Sequence, residues 1–131
     1  MEREENGIVG IFDINFDSGE RVWSHEMGEL FGIAPGEPPE FQSVLRHIHP
    51  EDRRAFNMFA VEPFGPDCPA RATSEFRVVR DDDSVHWLRL VRVTMHRDHG
   101  VRDVVRVLGF VAEIGEPTAN RQPWQHVDLA A

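Results

Sequence analysis

A chain of 131 residues, 40% of them hydrophobic, is enough for one packed core, and a single domain is predicted. Its formal charge of −9, with no lysine among the 14 basic residues, disfavours phosphate backbones, so no nucleic-acid partner is expected and P-loop and Schiff-base lysine chemistry are excluded. No run of 18 apolar residues and no basic-then-apolar leader in "MEREENGIVG" is found, so a soluble cytoplasmic protein with no membrane association is expected, and the lone Cys68 has no internal disulfide partner.

In chain order, "GIVGIFDINF" is β-branched and aromatic, "DSG" at 17–19 is turn chemistry, and "ERVW" follows, which predicts a hairpin over residues 8–23. The period then changes. In "SHEMGELFGI", Ser24 can cap, Glu26 lies in the first turn, Met27, Leu30 and Phe31 share one face, and Gly32 stands where a helix ends, so a helix of about two turns is predicted. "APGEPP" reads as a loop. Phe41, Val44, Leu45 and Ile48 then recur at i, i+3, i+4 and i+7, the stripe of a second helix.

"RHIHPEDRRAF" admits a metal pair, an acid/base pair or a helix start. Pro50 suits a first helical position because it has no amide hydrogen to leave unsatisfied, and Glu51 and Asp52 suit the positive end of the helix dipole. His49 becomes the N-cap and His47 falls in the last turn of the preceding helix, so helix capping accounts for the whole stretch. Ala55, Phe56, Phe59 and Ala60 continue the new helix, and the three prolines of "EPFGPDCPA" end it. A zinc site needs four ligands, and no Cys-x-x-Cys or third nearby histidine joins His47 and His49, so no metal is predicted.

"RATSEFRVVR", "VHWLRLVRVTMHR" and "VVRVLGFVAEI" read as three strands separated by the turns "DDDS" and "DHG". Arginines at 77, 80, 89, 92, 97, 102 and 106 suggest an antiparallel sheet whose open face carries paired charges. Two strands, three short helices and three strands make an α+β domain with the helices over one face of a five-stranded antiparallel sheet.

The element order, with "RVWSHEMGELFGI", "IHPEDRRAF", "EFRVVRDDDSVHWLRL" and "VLGFVAEI", resembles a PAS sensor domain of the subgroup with a Trp-Ser helix start and a His-Pro-acid-Asp-Arg motif. The resemblance covers residues 7–115, with 1–6 as an N-terminal flank and 116–131 as a proline-containing tail. It implies short helices on one face of the sheet between the second and third strands. It also implies a role in sensing, dimerisation and signal relay, in the manner of domains attached to bacterial kinases, cyclases and regulators. The domain itself is then not an enzyme, and a homodimer or a signalling protein is its expected partner. Two departures bear on output. "EIGEP" replaces the usual Asp-Ile-Thr ending, and Pro117 and Pro123 disfavour a signalling helix running straight off the last strand. "DDDS" replaces Pro-Asp-Gly, which aspartate tolerates because it visits the left-handed region.

If a pocket exists, the family architecture implies walls from Phe31, Leu45, Phe56, Phe59, Phe76, Leu90 and Phe110 and a small, mostly apolar ligand. The ligand's identity is unknown. The resemblance argues against haem, for which the family uses a histidine on the helix before the third strand while "PEDRRAFNMFAVE" has none, and against a flavin adduct, for which the light-sensing branch uses a helical cysteine while Cys68 in "GPDCPA" sits in a proline-rich loop. Trp23 and Trp87 are open to either pocket or core roles. The alternatives are a ligand-free dimerisation scaffold using an apolar sheet face, and a small α+β enzyme with Asp13 or a histidine as base, although Asp13 reads more simply as a solvent-facing residue on an alternating strand.

Overall fold

The computed structural model describes residues 4–37, 40–98, 102–116 and 126–128. The expected order is present: β1 (Glu4–Asn15), β2 (Arg21–Trp23), α1 (His25–Phe31), α2 (Phe41–His47), α3 (Arg53–Val61), β3 (Arg71–Val79), β4 (Val85–Asp98) and β5 (Arg102–Ile114). A short β6 (His126–Asp128) is added from within the segment read as a tail. All pairings are antiparallel, in the spatial order β2-β1-β5-β4-β3-β6, and β6 lies against Ala72–Ser74 of β3. β1 begins inside the stretch set aside as a flank, with Glu4 opposite Ile114.

Local chemistry explains most boundaries. Asn15 Oδ1 accepts from the amides of Asp17 and Ser18, and Gly19 takes a positive φ of 78°, which closes the first hairpin. Gly32 is left-handed at φ 80° and ends α1. Asp83 is left-handed at φ 67°, so the aspartate run does turn β3 into β4 as anticipated. The "DHG" turn falls on His99 and Gly100, outside the described residues. Ser24 holds the N-cap position, but its hydroxyl makes no cap bond; it accepts from the Ile11 amide at 2.9 Å and so ties the start of α1 to β1.

His49 is the N-cap of a 3-10 turn, Pro50–Asp52, its Nδ1 accepting from the Glu51 amide at 3.1 Å. The expectation for Asp52 needs correction. It does more than favour a helix start: it is 1% exposed and accepts from the Arg77 amide and Nε, both at 2.9 Å, and from Arg77 Nη2 at 2.6 Å. That hydrogen-bonded charge raises the Arg77 guanidinium above its ordinary value. The two residues join the entry of α3 to β3, and an isolated bridge between Ile48 and Val78 lies beside them.

The core fills the space between the helices and one face of the sheet: Met27, Leu30 and Phe31 of α1, Val44 of α2, Phe56 and Phe59 of α3, and Phe12, Phe76, Leu88, Leu90 and Val111 of the strands. Phe76 anchors an aromatic cluster, stacked on Phe31 and edge-on to Phe56, with centroids 5.9 and 4.8 Å away.

The sheet arginines do not all face outward as read. On the open face Arg89 pairs with Glu75, Arg97 with Asp17 and Asp103, and Arg106 with Asp13. Arg92 points to the helix side and is 3% exposed. It shares strand parity with Leu88 and Leu90, and parity outweighs charge because Glu62 is there to neutralise it. Just past β3, Arg80 donates to the Leu30 carbonyl at the end of α1. The Arg102 side chain lies outside those described.

Candidate functional site

Strand register sets the floor of the site. Trp23, Phe12, Gly109, Arg92 and Ala72 lie opposite one another in a single row across β2, β1, β5, β4 and β3, all on the helix side. Gly109 is required there. A Cβ at this position would lie 1.9 Å from the Val91 carbonyl oxygen and 3.0 Å from the tip of Phe12, so only glycine lets the Phe12 ring lie across β5. Ile14 and Val107 form the next row.

Between this floor and the helices is a cavity of about 160 Å³. Met27 and Phe31 come from α1, Phe41 and Val44 from α2, and Phe56, Phe59 and Ala60 from α3, with Leu90 in the floor. Pro63 and Phe64 add a wall from the 3-10 turn Glu62–Phe64, and Phe16, packed edge-on against Phe64, and the exposed Arg21 complete the lining. The walls are hydrocarbon and aromatic except for Arg21, Arg92 and the indole N–H of Trp23.

Arg92 is the one buried charge of the lining. Nη1 donates to the Phe59 carbonyl and Nη2 to Glu62 Oε1, each at 2.5 Å, and the guanidinium lies 4.0 Å from the centroid of the Phe59 ring. Its Nε is buried and has no hydrogen-bond partner among the described residues, and the same holds for Trp23 Nε1.

Of the residues expected to wall a pocket, Phe31, Phe56, Phe59 and Leu90 meet at this cavity. Phe76 is buried beside it in the core, and Leu45 packs against the core without reaching the lining. Phe110 is a correction: it is 43% exposed on the opposite face of the sheet, because Val107, Gly109 and Val111 take the inward parity of β5. Phe12, Ile14, Met27, Val44, Arg92 and Val107 are among the lining residues absent from the expected walls. The parity of "LRLVR" was the signal for Arg92, since Leu88, Leu90 and Arg92 alternate with outward residues. Trp87 belongs to the open face, under the Arg77 guanidinium at 5.3 Å.

Among the described residues no acid or histidine lines the cavity. Asp13 is on the open face, accepting from Arg106 Nε and Nη2 at 2.9 and 2.5 Å, and these bonds hold its carboxyl below the ordinary value. His47 and His49 do not converge on a metal: His49 caps its turn, and His47 Nε2 lies 3.5 Å from Glu37. Among the described residues no three His, Cys, Asp or Glu side chains come together as a ligand set, and no helix is long and apolar enough to cross a membrane. Cys68 is buried, its thiol 3.2 Å from the Pro69 carbonyl.

One polar chain outside the cavity has the order of a hydrolytic triad. Ser84 Oγ is 2.8 Å from His86 Nε2, and His86 Nδ1 is 2.7 Å from Glu113 Oε2. The Asp82 carboxylate, however, sits 2.5 Å from the same Ser84 oxygen, where acyl transfer would bring an anionic intermediate. The arrangement suits a turn lock, in which Ser84 holds the Asp82 carboxyl below its ordinary value, better than a nucleophile.

A family model described as PAS fold matches residues 20–111. Similar solved structures include the N-terminal domain of a diguanylate cyclase with PAS/PAC sensor from Marinobacter aquaeolei, at 21% identity and TM-score 0.63, covering 80% of this chain and 94% of that one. The domain of a putative light and redox sensing histidine kinase from Haloarcula marismortui is similar at 22% identity and TM-score 0.59, covering 83% and 91%. A sensory box histidine kinase/response regulator from Burkholderia thailandensis follows at 20% identity and TM-score 0.55, covering 80% and 76%. No curated protein matches the chain. The fold, the helix-covered cavity and the match over residues 20–111 together place the chain in the PAS-fold family.

Proposed function

We propose that the domain is a sensory module in which a small, mostly apolar ligand enters the cavity and shifts the balance between two packings of the helices over the sheet. The observation that carries this reading is the cavity itself, walled by all three helices and by Leu90, Val107 and Arg92 of the sheet. A ligand there touches all three helices and the floor of the sheet, so a differential affinity for two helix packings becomes a population shift. Catalysis by the domain is not part of the reading, since the acid considered as a base lies on the other face.

The open face supports an output by contact with a second copy. Val9, Ile11, Met95 and Phe110 are exposed there, and Ile11 is directly opposite Phe110. Nearby charges are already matched within the chain, Asp13 with Arg106 and Glu75 with Arg89, so a two-fold self-contact would meet no unpaired like charge from these residues. A ligand-free dimerisation scaffold is the second reading, favoured by this same surface.

Native mass spectrometry of the purified protein against its denatured mass, with visible absorbance alongside, tests the proposal. A retained small molecule is the expected result. An empty chain at dimer mass, made monomeric by Ile11→Glu, would favour the scaffold. An empty monomer would sink both readings.

A further inference from the structure

We infer that Asp82, Ser84, His86 and Glu113 form a proton-binding site, and that the bound proton ties the turn between β3 and β4 to β5 and, through Arg80, to the end of α1. The site lies outside the cavity and does not depend on what the cavity holds.

Hydrogens can be counted along the chain of contacts. Three run in series: Asp82 Oδ1 to Ser84 Oγ at 2.5 Å, Ser84 Oγ to His86 Nε2 at 2.8 Å, and His86 Nδ1 to Glu113 Oε2 at 2.7 Å. At such distances two facing lone pairs repel, so each contact needs a hydrogen between its atoms. The chain begins and ends on carboxylates, which only accept when ionised, and Ser84 has one hydroxyl hydrogen to give. A neutral imidazole adds one more. Two hydrogens cannot fill three contacts, so the geometry requires a third.

The turn decides where that hydrogen sits. Asp82 Oδ1 also accepts from the Ser84 amide at 2.9 Å, and the bonds from Ser84 hold the Asp82 carboxyl below its ordinary value, so it is ionised and takes the serine hydrogen. Nε2 of His86 must then donate to Ser84 Oγ, and Nδ1 to Glu113. A ring that donates from both nitrogens is an imidazolium.

The surroundings suit that charge. β5 presents the mostly buried Glu113, the turn presents Asp82, and the end of β3 presents Arg80, whose Nη2 lies 3.7 Å from Glu113 Oε1. Arg77 and Glu116 line the same surface hollow as the ring. Within the cluster the two carboxylates face one guanidinium and one imidazolium, and the four charges cancel. Without the proton a carboxylate is left in excess where water is scarce. The His86 side chain is 25% exposed, so solvent protons reach it.

Loss of the proton obliges the chain to give up one contact. Either the serine hydrogen leaves Asp82 for Nε2, which loosens the turn, or Nε2 and Ser84 Oγ part. In both cases Glu113 loses a cationic partner and draws on Arg80, which now donates to the Leu30 carbonyl at 2.7 Å. Gly32 lies against the Arg80 side chain, so the change reaches the end of α1.

A pH titration of the nitrogen-15-labelled protein, followed by NMR at the histidine rings and the amides, tests the site. His86 is expected to carry hydrogen on both ring nitrogens at the acid end, and to lose one in a single step that also moves the Ser84, Glu113 and Gly32 amide signals. Glu113→Gln is expected to weaken proton binding at the ring about tenfold and Ser84→Ala about threefold, while His25, exposed at the start of α1, keeps its midpoint in both. If Glu113→Gln fails to fold, Ser84→Ala and the titration of the unaltered protein decide. A His86 ring that titrates without moving the Ser84 and Glu113 amides, or whose midpoint is unchanged in Ser84→Ala, would overturn the site. A still Gly32 amide beside moving Ser84 and Glu113 signals would overturn the link to α1.

Discussion

The two faces of the sheet carry similar sequence and opposite physics. Both set arginine among apolar residues, Arg92 on the helix side and Arg89, Arg97 and Arg106 on the other. On the open face Arg106 meets the partly exposed Asp13 and the partly exposed Arg89 covers a buried Glu75, while Ile11 at 54% and Phe110 at 43% exposure face outward. On the helix side Arg92 is 3% exposed, and its carboxylate partner, Glu62, comes from beyond the end of α3 and not from a neighbouring strand. An arginine in a strand therefore says little about its face until a partner is located, because a matched guanidinium is tolerated on either side.

Adjacent residues of β5 give the sharpest way to break this comparison. Gly109→Ala places a Cβ 1.9 Å from the Val91 carbonyl oxygen, where backbone must give way, and a loss of about 3 kcal/mol or more is expected in urea unfolding. Phe110→Ala, one residue along and facing out, should cost less than about 1 kcal/mol in the same assay. Near-equal losses would mean that the assigned parity of β5 is wrong.

Next in size is the buried pair at the sheet edge. Asp52→Ala leaves the Arg77 amide and guanidinium without their acceptor and should cost about 3 kcal/mol, whereas Asn at the same position, which keeps the shape and one acceptor oxygen, should lose less. Arg92→Met follows, at about 2 kcal/mol by chemical denaturation: the Phe59 carbonyl loses its donor, but Glu62 is partly exposed and can turn to solvent.

The smallest effect belongs to the open face and is a matter of pH. The Arg106 hydrogen bonds hold the Asp13 carboxyl below its ordinary value in the folded state. A depressed folded value means the contribution is complete above the ordinary aspartate value and is lost as pH falls through the lower folded one. Asp13→Asn should accordingly leave the midpoint at neutral pH nearly unchanged and flatten the acid limb below about pH 4. An unchanged acid limb would show that the pair contributes nothing.

The order of elements was legible because each boundary has a local cause: Gly32 at the end of α1, Pro50 at a helix start, Asp83 in the turn. The floor of the cavity was less so. "VVRVLGFVAEI" is apolar at both parities, so alternation could not say whether Gly109 or Phe110 faces inward, and the aromatic residue was the natural but mistaken choice. Asp52 looked sufficient as a helix-start acid, since its partner lies 25 residues away in sequence. β6 offers only three residues within a proline-containing stretch, too few for a period to register.

The two arginines that reach α3 have a mechanical consequence. Arg77 grips Asp52 just before the helix, and Arg92 grips the Phe59 carbonyl and Glu62 at its far end. A beam pinned at both abutments does not swing. α3 is thus held at both ends by arginines of the sheet, and its first residue, Arg53, in turn donates to the Ile48 and Arg46 carbonyls at the end of α2. Arginines thus join the sheet to α3 and α3 to α2, so the helical layer is fastened to the floor of the cavity through guanidinium groups.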